Sequence, residues 1–289
     1  MKYAGVGLVM MAAVFWGISG GIGDILMDKG WDPIVISFYR GAVGFICFSI
    51  WFLLRFKKNL NISKRVFTWS LLAGVGVAGN FSFYYLSIEA SSVPVAATLM
   101  YTAPVFVLLA SFIFRIERST WFKWGCIASV LTGIILLTGA YNPESISVSF
   151  LGTAAGLAAG LSYAVFIFGF KNASAAGRPQ AILTIAFFSF CVVLLFFSDR
   201  NQAFSVVTSD DIGWFILLGL VGAGVSFIFY VIGIRMTAPT TASMVAMVEP
   251  VTASLFGVLL LGDFLNIIQL LGMALILLTV TFLSVKQAG

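Results

Sequence analysis

Pro94-Val-Ala-Ala-Thr-Leu-Met-Tyr-Thr-Ala-Pro104 stands thirteen residues before Glu117, and Pro239-Thr-Thr-Ala-Ser-Met-Val-Ala-Met-Val-Glu-Pro250 stands thirteen before Asp263. The two stretches are one pattern used twice. Pro104 and Pro250 are 146 residues apart, as are Glu117 and Asp263 and, far upstream, Pro33 and Pro179. Pro94 and Pro239, and Trp69 and Trp214, are 145 apart, so a one-residue shift aligns the two halves of the chain. A repeat of this length dictates architecture before any local motif does. The expected units are residues 1–145 and 146–289.

The solvent for this architecture is lipid. Of 289 residues, 61% are hydrophobic and 9% charged, and the mean hydropathy is +1.08. A soluble domain carries about 25% charged residues, so this chain has too little charge to cover a water-facing surface. Ten apolar runs are each long enough to cross a bilayer: Tyr3–Leu26, Pro33–Leu54, Val66–Ile88, Val93–Phe114, Trp121–Ala140, Phe150–Phe170, Pro179–Ser198, Ile212–Ile234, Thr240–Leu261 and Phe264–Val285. The first is too long for a signal-peptide core and is read as a retained span. The expected fold is an all-α membrane protein of ten transmembrane helices.

Basic and acidic connections alternate along these runs. Thirteen of the 16 Lys and Arg fall on one side, Lys29 and Arg200 on the other, and Arg40 inside a span. Basic loops stay in the cytoplasm, so both termini are expected to be cytoplasmic. Five spans per unit is an odd number, so the second unit enters the membrane upside down. Such inverted repeats, with a binding site near the midplane between them, are a transporter architecture. The glycosylation-type triplets at Asn61 and Asn172 fall on the cytoplasmic side and are read as chance matches.

Several function classes are excluded or left without support. The net charge of +5 is dispersed between apolar runs, so no nucleic-acid partner is expected. With no histidine, His-based triads and His metal ligands are ruled out. The cysteines Cys47, Cys126 and Cys191 lie far apart inside apolar runs. Neither metal, cofactor nor enzymatic activity is expected, and no ring of charge suggests a channel.

The candidate site follows from polar, aromatic and charged residues in the spans. Pro104 and Pro250 interrupt corresponding spans and are expected to act as hinges, since broken helices are tolerated in a bilayer beside a cavity. Thr98 and Tyr101 share a helical face with Pro94 and Val105, and Ser243 and Met247 share one with Pro250. Asn80 and Tyr84 in the third span and Ser226 and Tyr230 in the eighth are spaced one turn apart. Trp16 lies mid-span in the first run and Tyr163 at the corresponding place in the sixth. Arg40 could hold a carboxylate. Glu249 could meet an amine or carry a coupling proton. Repeat symmetry places Ala186 and Ala103 opposite these two charges, so neither has a twin.

The proline-centred fourth and ninth spans, the Leu-Gly262-Asp263 ending, Glu249-Pro250-Val, Trp16-Gly17 and Arg40 together resemble the EamA-type members of the drug/metabolite transporter superfamily. The resemblance covers nearly the whole chain. It implies an inner-membrane carrier working by alternating access, with spans three, four, eight and nine around a central cavity. Spans one, two, six and seven would lie around these, and spans five and ten would brace the bundle. The aromatic-rich interior resembles the family's aromatic amino-acid exporters, so an amino acid or related metabolite is the expected substrate. A drug or nucleotide-sugar carrier of the same fold is the alternative. A monomer in the lipid bilayer is expected.

Overall fold

A computed structural model of the chain describes residues 2–60 and 62–288. Asn61 of the first glycosylation-type triplet lies outside them, while Asn172 turns its amide back onto Phe168 O at 2.9 Å. Ten helices are long and apolar enough to cross a membrane, and no strand occurs among the described residues. A bilayer offers the backbone no other partner for its N–H and C=O groups, so each crossing segment must bond to itself. The helices are α1 Lys2–Asp28, α2 Pro33–Leu53, α3 Lys64–Ala90, α4 Val93–Ile113, α5 Trp121–Thr138, α6 Phe150–Ala176, α7 Pro179–Phe197, α8 Ile212–Met236, α9 Pro239–Leu261 and α10 Ile267–Ala288. This is a multi-pass, all-α membrane protein.

Local chemistry sets the helix ends. Proline, which needs no donor in a first turn, opens α2, α4, α7 and α9. Asp32 caps α2 by accepting from the amides of Ile34 and Val35 at 2.8 and 3.0 Å, and Ser63, Thr120 and Ser149 cap α3, α5 and α6. Gly139 after α5 (φ 77°) and Gly262 after α9 (φ 81°) take the left-handed conformation that stops a helix.

Two boundaries differ markedly from the sequence expectation. α6 runs on to Ala176, so Lys171, expected in a connection, sits on the helix. That charge is accommodated because its Nζ donates to the carbonyls of Ile234, Arg235 and Thr237 at 2.9, 3.2 and 2.7 Å. α10 begins at Ile267, not Phe264, because the chain from Gly262 to Asn266 forms no helix. Two short helices, Phe56–Asn59 and Arg200–Val206, lie in the connections.

The packing is paired. α3 lies along α6 as α8 lies along α1, α4 crosses α6 as α9 crosses α1, and α2 meets α7 and α5 meets α10. Each of these pairs has its counterpart five helices on, or is its own. Small residues permit these approaches: a Cβ added at Gly76 would lie 2.7 Å from Phe166 N, and one at Gly233 2.9 Å from Val9 N.

The two ends of the bundle are tied differently. At one end, Lys29 and Trp31 both donate to Asp211, the indole at 2.9 Å, and Asp32 N donates to Gln202 Oε1 at 2.6 Å. These bonds, first from Lys29 and then from Trp31, hold the Asp211 carboxyl below its ordinary value of 3.8. The other end carries most of the basic residues. There Glu117 Oε1 accepts from Thr240 N and Thr240 Oγ1, both at 3.0 Å, while Oε2 accepts from Lys123 Nζ at 2.6 Å.

Candidate functional site

Two of the ten helices are broken in mid-course, and the breaks face the same cavity. α4 consists of Val93–Met100 and Ala103–Ile113, and α9 of Pro239–Val245 and Val248–Phe256 followed by a wide-turn stretch, Gly257–Leu261. Pro104 and Pro250 stand just past the breaks, where each removes a donor from the next turn. Tyr101 caps the first segment of α4, and Glu249 opens the second segment of α9. The interruptions thus present one phenol and one carboxylate to the interior.

The cavity measures about 340 Å³ and is lined by α1, α2, α3 and α4, with Leu218 from α8 and Glu249 and Ala253 from α9. This corrects the expected arrangement, in which α3, α4, α8 and α9 enclosed it. The reason lies in depth. The cavity runs from mid-membrane toward the end that holds the α1–α2 and α3–α4 connections, where Asp24 and Val93 are exposed. The matching residues of the second half, Ser226 and Tyr230 among them, are buried outside this lining.

The expected site residues divide accordingly. Trp16, Arg40, Asn80, Tyr84, Tyr101 and Glu249 all line the cavity. Ser226, Tyr230, Ser243 and Met247 are fully buried outside its lining, and so is Tyr163 at 3% exposure. Thr98 turns away to bond with Thr138 of α5 at 3.2 Å. Beneath the cavity an aromatic plug closes the path. Trp16 packs on Tyr230 and Phe227 with ring centroids 5.0 and 5.1 Å away, and Phe166 and Phe170 pack on the same Tyr230. Trp16 Nε1, Tyr163 OH and Tyr230 OH are buried there and find no hydrogen-bond partner among the described residues. Asn80 Nδ2 donates to Ala159 O at 3.0 Å, so its amide fastens α3 to α6 as well as facing the cavity.

Charge in the cavity is sparse and forms no salt bridge among the described residues. Arg40 Nε donates to Gly222 O at 3.1 Å, and its guanidinium carbon lies 4.8 Å from the centroid of the Phe81 ring. Gly222 belongs to Leu220–Val225, a π-helical stretch of α8. A side chain on Gly222 would meet Arg40 Nε at 2.7 Å and Ser19 Cβ at 2.6 Å, so only glycine lets the carbonyl come so near. No carboxylate among the described residues forms an ion pair with Arg40, and no cation does with Glu249. Arg40 and Glu249 share the cavity wall with the rings of Trp16, Phe81, Tyr84, Tyr85 and Tyr101.

Some of the lining was not singled out from the sequence. Phe81 and Tyr85 are the neighbours of Asn80 and Tyr84, and a helix seen end-on would have brought them in. Gly17, Gly20 and Gly23 recur every third residue, which places them on one face of α1, and that face is cavity wall. Asp24 stands at the cavity mouth.

Comparison with known proteins agrees with this architecture. Over its full length the fold matches a known crystal structure with a TM-score of 0.76 at 16% identity, covering 99% of each chain. The chain is 22% identical to an uncharacterized transporter, YwfM, of Bacillus subtilis over 96% of its length and 92% of that protein's. It is 26% identical to the threonine/homoserine exporter RhtA of Escherichia coli over 93% of its length and 87% of that protein's. The model of the EamA-like transporter family matches twice, at residues 3–139 and again at 150–285. Ten crossing helices, two of them broken around a cavity, and a family match over nearly all of the sequence place one conclusion beyond doubt: the chain belongs to the EamA-like transporter family.

Proposed function

We propose that this transporter exports zwitterionic amino acids, those with aromatic side chains first, across the inner membrane. The observation that carries the proposal is the pair Arg40 and Glu249, opposite charges without ion-pair partners in a cavity of about 340 Å³ walled by aromatic rings. That volume lies at the small end of the range for ligand pockets, roughly 300–1,000 Å³, which suits a single amino acid. The substrate carboxylate bonds to the guanidinium nitrogens that Gly222 leaves available. Its ammonium meets Glu249 and the ring faces of Trp16 and Tyr101. Its side chain lies against Phe81, Tyr84 and Tyr85.

Transport proceeds by alternating access between two inverted five-helix repeats, residues 1–145 and 146–289, with both termini cytoplasmic. The paired packing of the helices supports this reading, and so does the second family match. In the state described here the cavity opens toward the acidic end. Ser226, Tyr230, Ser243, Met247 and Tyr163 form the surface uncovered when the basic end opens, with Pro104 and Pro250 as the bending points. Glu249 serves as the proton carrier, since a proton and a substrate ammonium cannot both occupy it. One copy of the chain suffices, because the cavity lies within it.

A second reading takes small hydroxylated amino acids as substrates. It is favoured by the likeness to the threonine/homoserine exporter. Counterflow in proteoliposomes separates the two. Tryptophan and phenylalanine should exchange saturably and threonine poorly. The reverse order selects the second reading, and exchange of a nucleotide sugar alone overturns both.

A further inference from the structure

The basic end of the bundle holds a second, smaller cleft that the transport path does not use. We propose that it is a headgroup site for an anionic, hydroxylated glycerophospholipid of the phosphatidylglycerol class. The cleft encloses about 260 Å³ between the α2–α3 connection and the tight α6–α7 turn, and is lined by Lys58, Asn59, Ile62 and Val66 on one side and Ala176, Gly177, Arg178 and Ala181 on the other. The turn is pressed close: a Cβ on Gly177 would lie 2.7 Å from Val66 Cγ1.

Three observations specify the ligand. First, the cleft is cationic and nothing in it neutralises the charge. Lys58 and Arg178 form no ion pair with a described carboxylate, and the sequence has no Asp or Glu between Asp32 and Glu89 or between Glu144 and Asp199. Second, Asn59 is 2% exposed and its Nδ2 donates to Phe52 O at 2.9 Å, which fixes the amide orientation. Its Oδ1 is then buried with no donor among the described residues. A buried acceptor without a donor is costly. A phosphodiester satisfies the cations, and a headgroup hydroxyl satisfies Asn59. An ammonium headgroup would bring its own charge toward Lys58 and Arg178.

Third, the surroundings are those of a lipid and not of a soluble anion. Leu54, Phe56 and Leu60 are 77%, 46% and 55% exposed and alternate with Arg55, Lys57 and Lys58. That is the pattern of a segment lying at the headgroup level. A shallow groove lined by Ile62, Lys64, Phe67 and Thr68 adjoins the cleft through Ile62, and Phe67 is 49% exposed. An acyl chain leaving the cleft follows that groove down the outside of α3. The bound lipid joins the first half of the chain to the second at the end where the transport path is sealed.

The test is native mass spectrometry of the delipidated full-length protein with phosphatidylglycerol, phosphatidylethanolamine, phosphatidylcholine or sn-glycerol 3-phosphate. One phosphatidylglycerol adduct should persist after the other lipids are stripped, and should raise the melting temperature of the same sample. Each basic group beside an anionic lipid contributes about fivefold in binding, so Lys58→Gln with Arg178→Gln should lower occupancy roughly thirtyfold. Arg55→Gln, outside the cleft, should leave the adduct in place. Equal loss with Arg55→Gln would reveal diffuse surface attraction and overturn the site. Retention of phosphatidylcholine equal to that of phosphatidylglycerol would do the same. Displacement by sn-glycerol 3-phosphate at matched concentration would overturn the lipid assignment in favour of a soluble phosphate. The lipid series on the unmodified protein decides the matter even where a variant fails to fold.

Discussion

Glu117 closes the basic end of the bundle, and its removal should open that end measurably. Its two oxygens accept three bonds, from Thr240 N and Oγ1 at 3.0 Å each and from Lys123 Nζ at 2.6 Å. The carboxylate and its lysine are 9% and 15% exposed, so the bonds are largely out of water. A hydrogen bond to a charged group contributes about 1.5–3 kcal/mol. Glu117→Ala forfeits all three but lets water reach the interface, for a net loss of about 3 kcal/mol, a factor of roughly 150 in the closed-to-open ratio. Glu117→Gln keeps an acceptor for Thr240 and loses the charge, so about 1.5 kcal/mol and roughly a factor of ten are expected. Hydrogen–deuterium exchange in nanodiscs reads this directly. The peptide spanning residues 237–246 should exchange about 100-fold faster in the alanine variant and about tenfold faster in the glutamine variant. Peptides from α2 and α7 should be unchanged. Exchange of 237–246 at the wild-type rate in Glu117→Ala would refute the claim that this carboxylate holds the start of α9.

Other outcomes follow from the same structure. Arg40→Gln should raise the half-saturating substrate concentration by roughly 30-fold or more, because an unpaired substrate carboxylate costs about 2–5 kcal/mol; equal affinity in counterflow would remove Arg40 from the site. Gly17→Ala would set a Cβ 2.6 Å from Glu249 O and 2.6 Å from Thr252 Cβ. The expected cost is about 1–3 kcal/mol, seen as a lower melting temperature. Gly7→Ala on the same helix meets nothing within 4 Å, and should be neutral or stabilise by about 0.5–1 kcal/mol. The Asp211 tie at the acidic end has a definite pH sign: its carboxyl is lowered below 3.8 in the folded chain. Its contribution is therefore complete above that value and is lost as pH falls through the lowered one. Trp31 fluorescence should hold steady from neutral pH down to about 4 and change only below.

The fold was legible because two independent signals agreed. The ten apolar runs give the helices, and the prolines at 94, 104, 239 and 250 mark the two that break. Arg40, Glu249 and Asn80 were legible as cavity residues because each is expensive in hydrocarbon. What the sequence did not disclose is which half of the symmetric set faces the open cavity. Tyr84 and Tyr230 read alike, yet one lines the cavity and the other is sealed under Trp16. That difference belongs to a conformational state, which a sequence does not encode. Lys171 was placed in a connection because a lysine weighs against a helix in lipid. The three carbonyls that receive it come from the end of α8 and the residue that follows it, far away in sequence.

The wide-turn stretch of α8 also bears on how the two halves came to differ. Trp69 and Trp214, Gly74 and Gly219, Gly79 and Gly224, and Pro94 and Pro239 are all 145 residues apart, so the two halves have equal length through this helix. The second half nevertheless adopts the π-helical form at Leu220–Val225, where α3 of the first half stays a regular helix. The difference therefore lies in residue identity and not in length, and the carbonyl of Gly222 that meets Arg40 stands in only one copy. Arg40 answers that carbonyl from the other copy, and Ala186, at the twin position of Arg40, answers nothing comparable. The symmetry is thus broken by side chains on an unbroken register, and a side chain placed at Gly222, 2.7 Å from Arg40 Nε, would leave the guanidinium without its anchor.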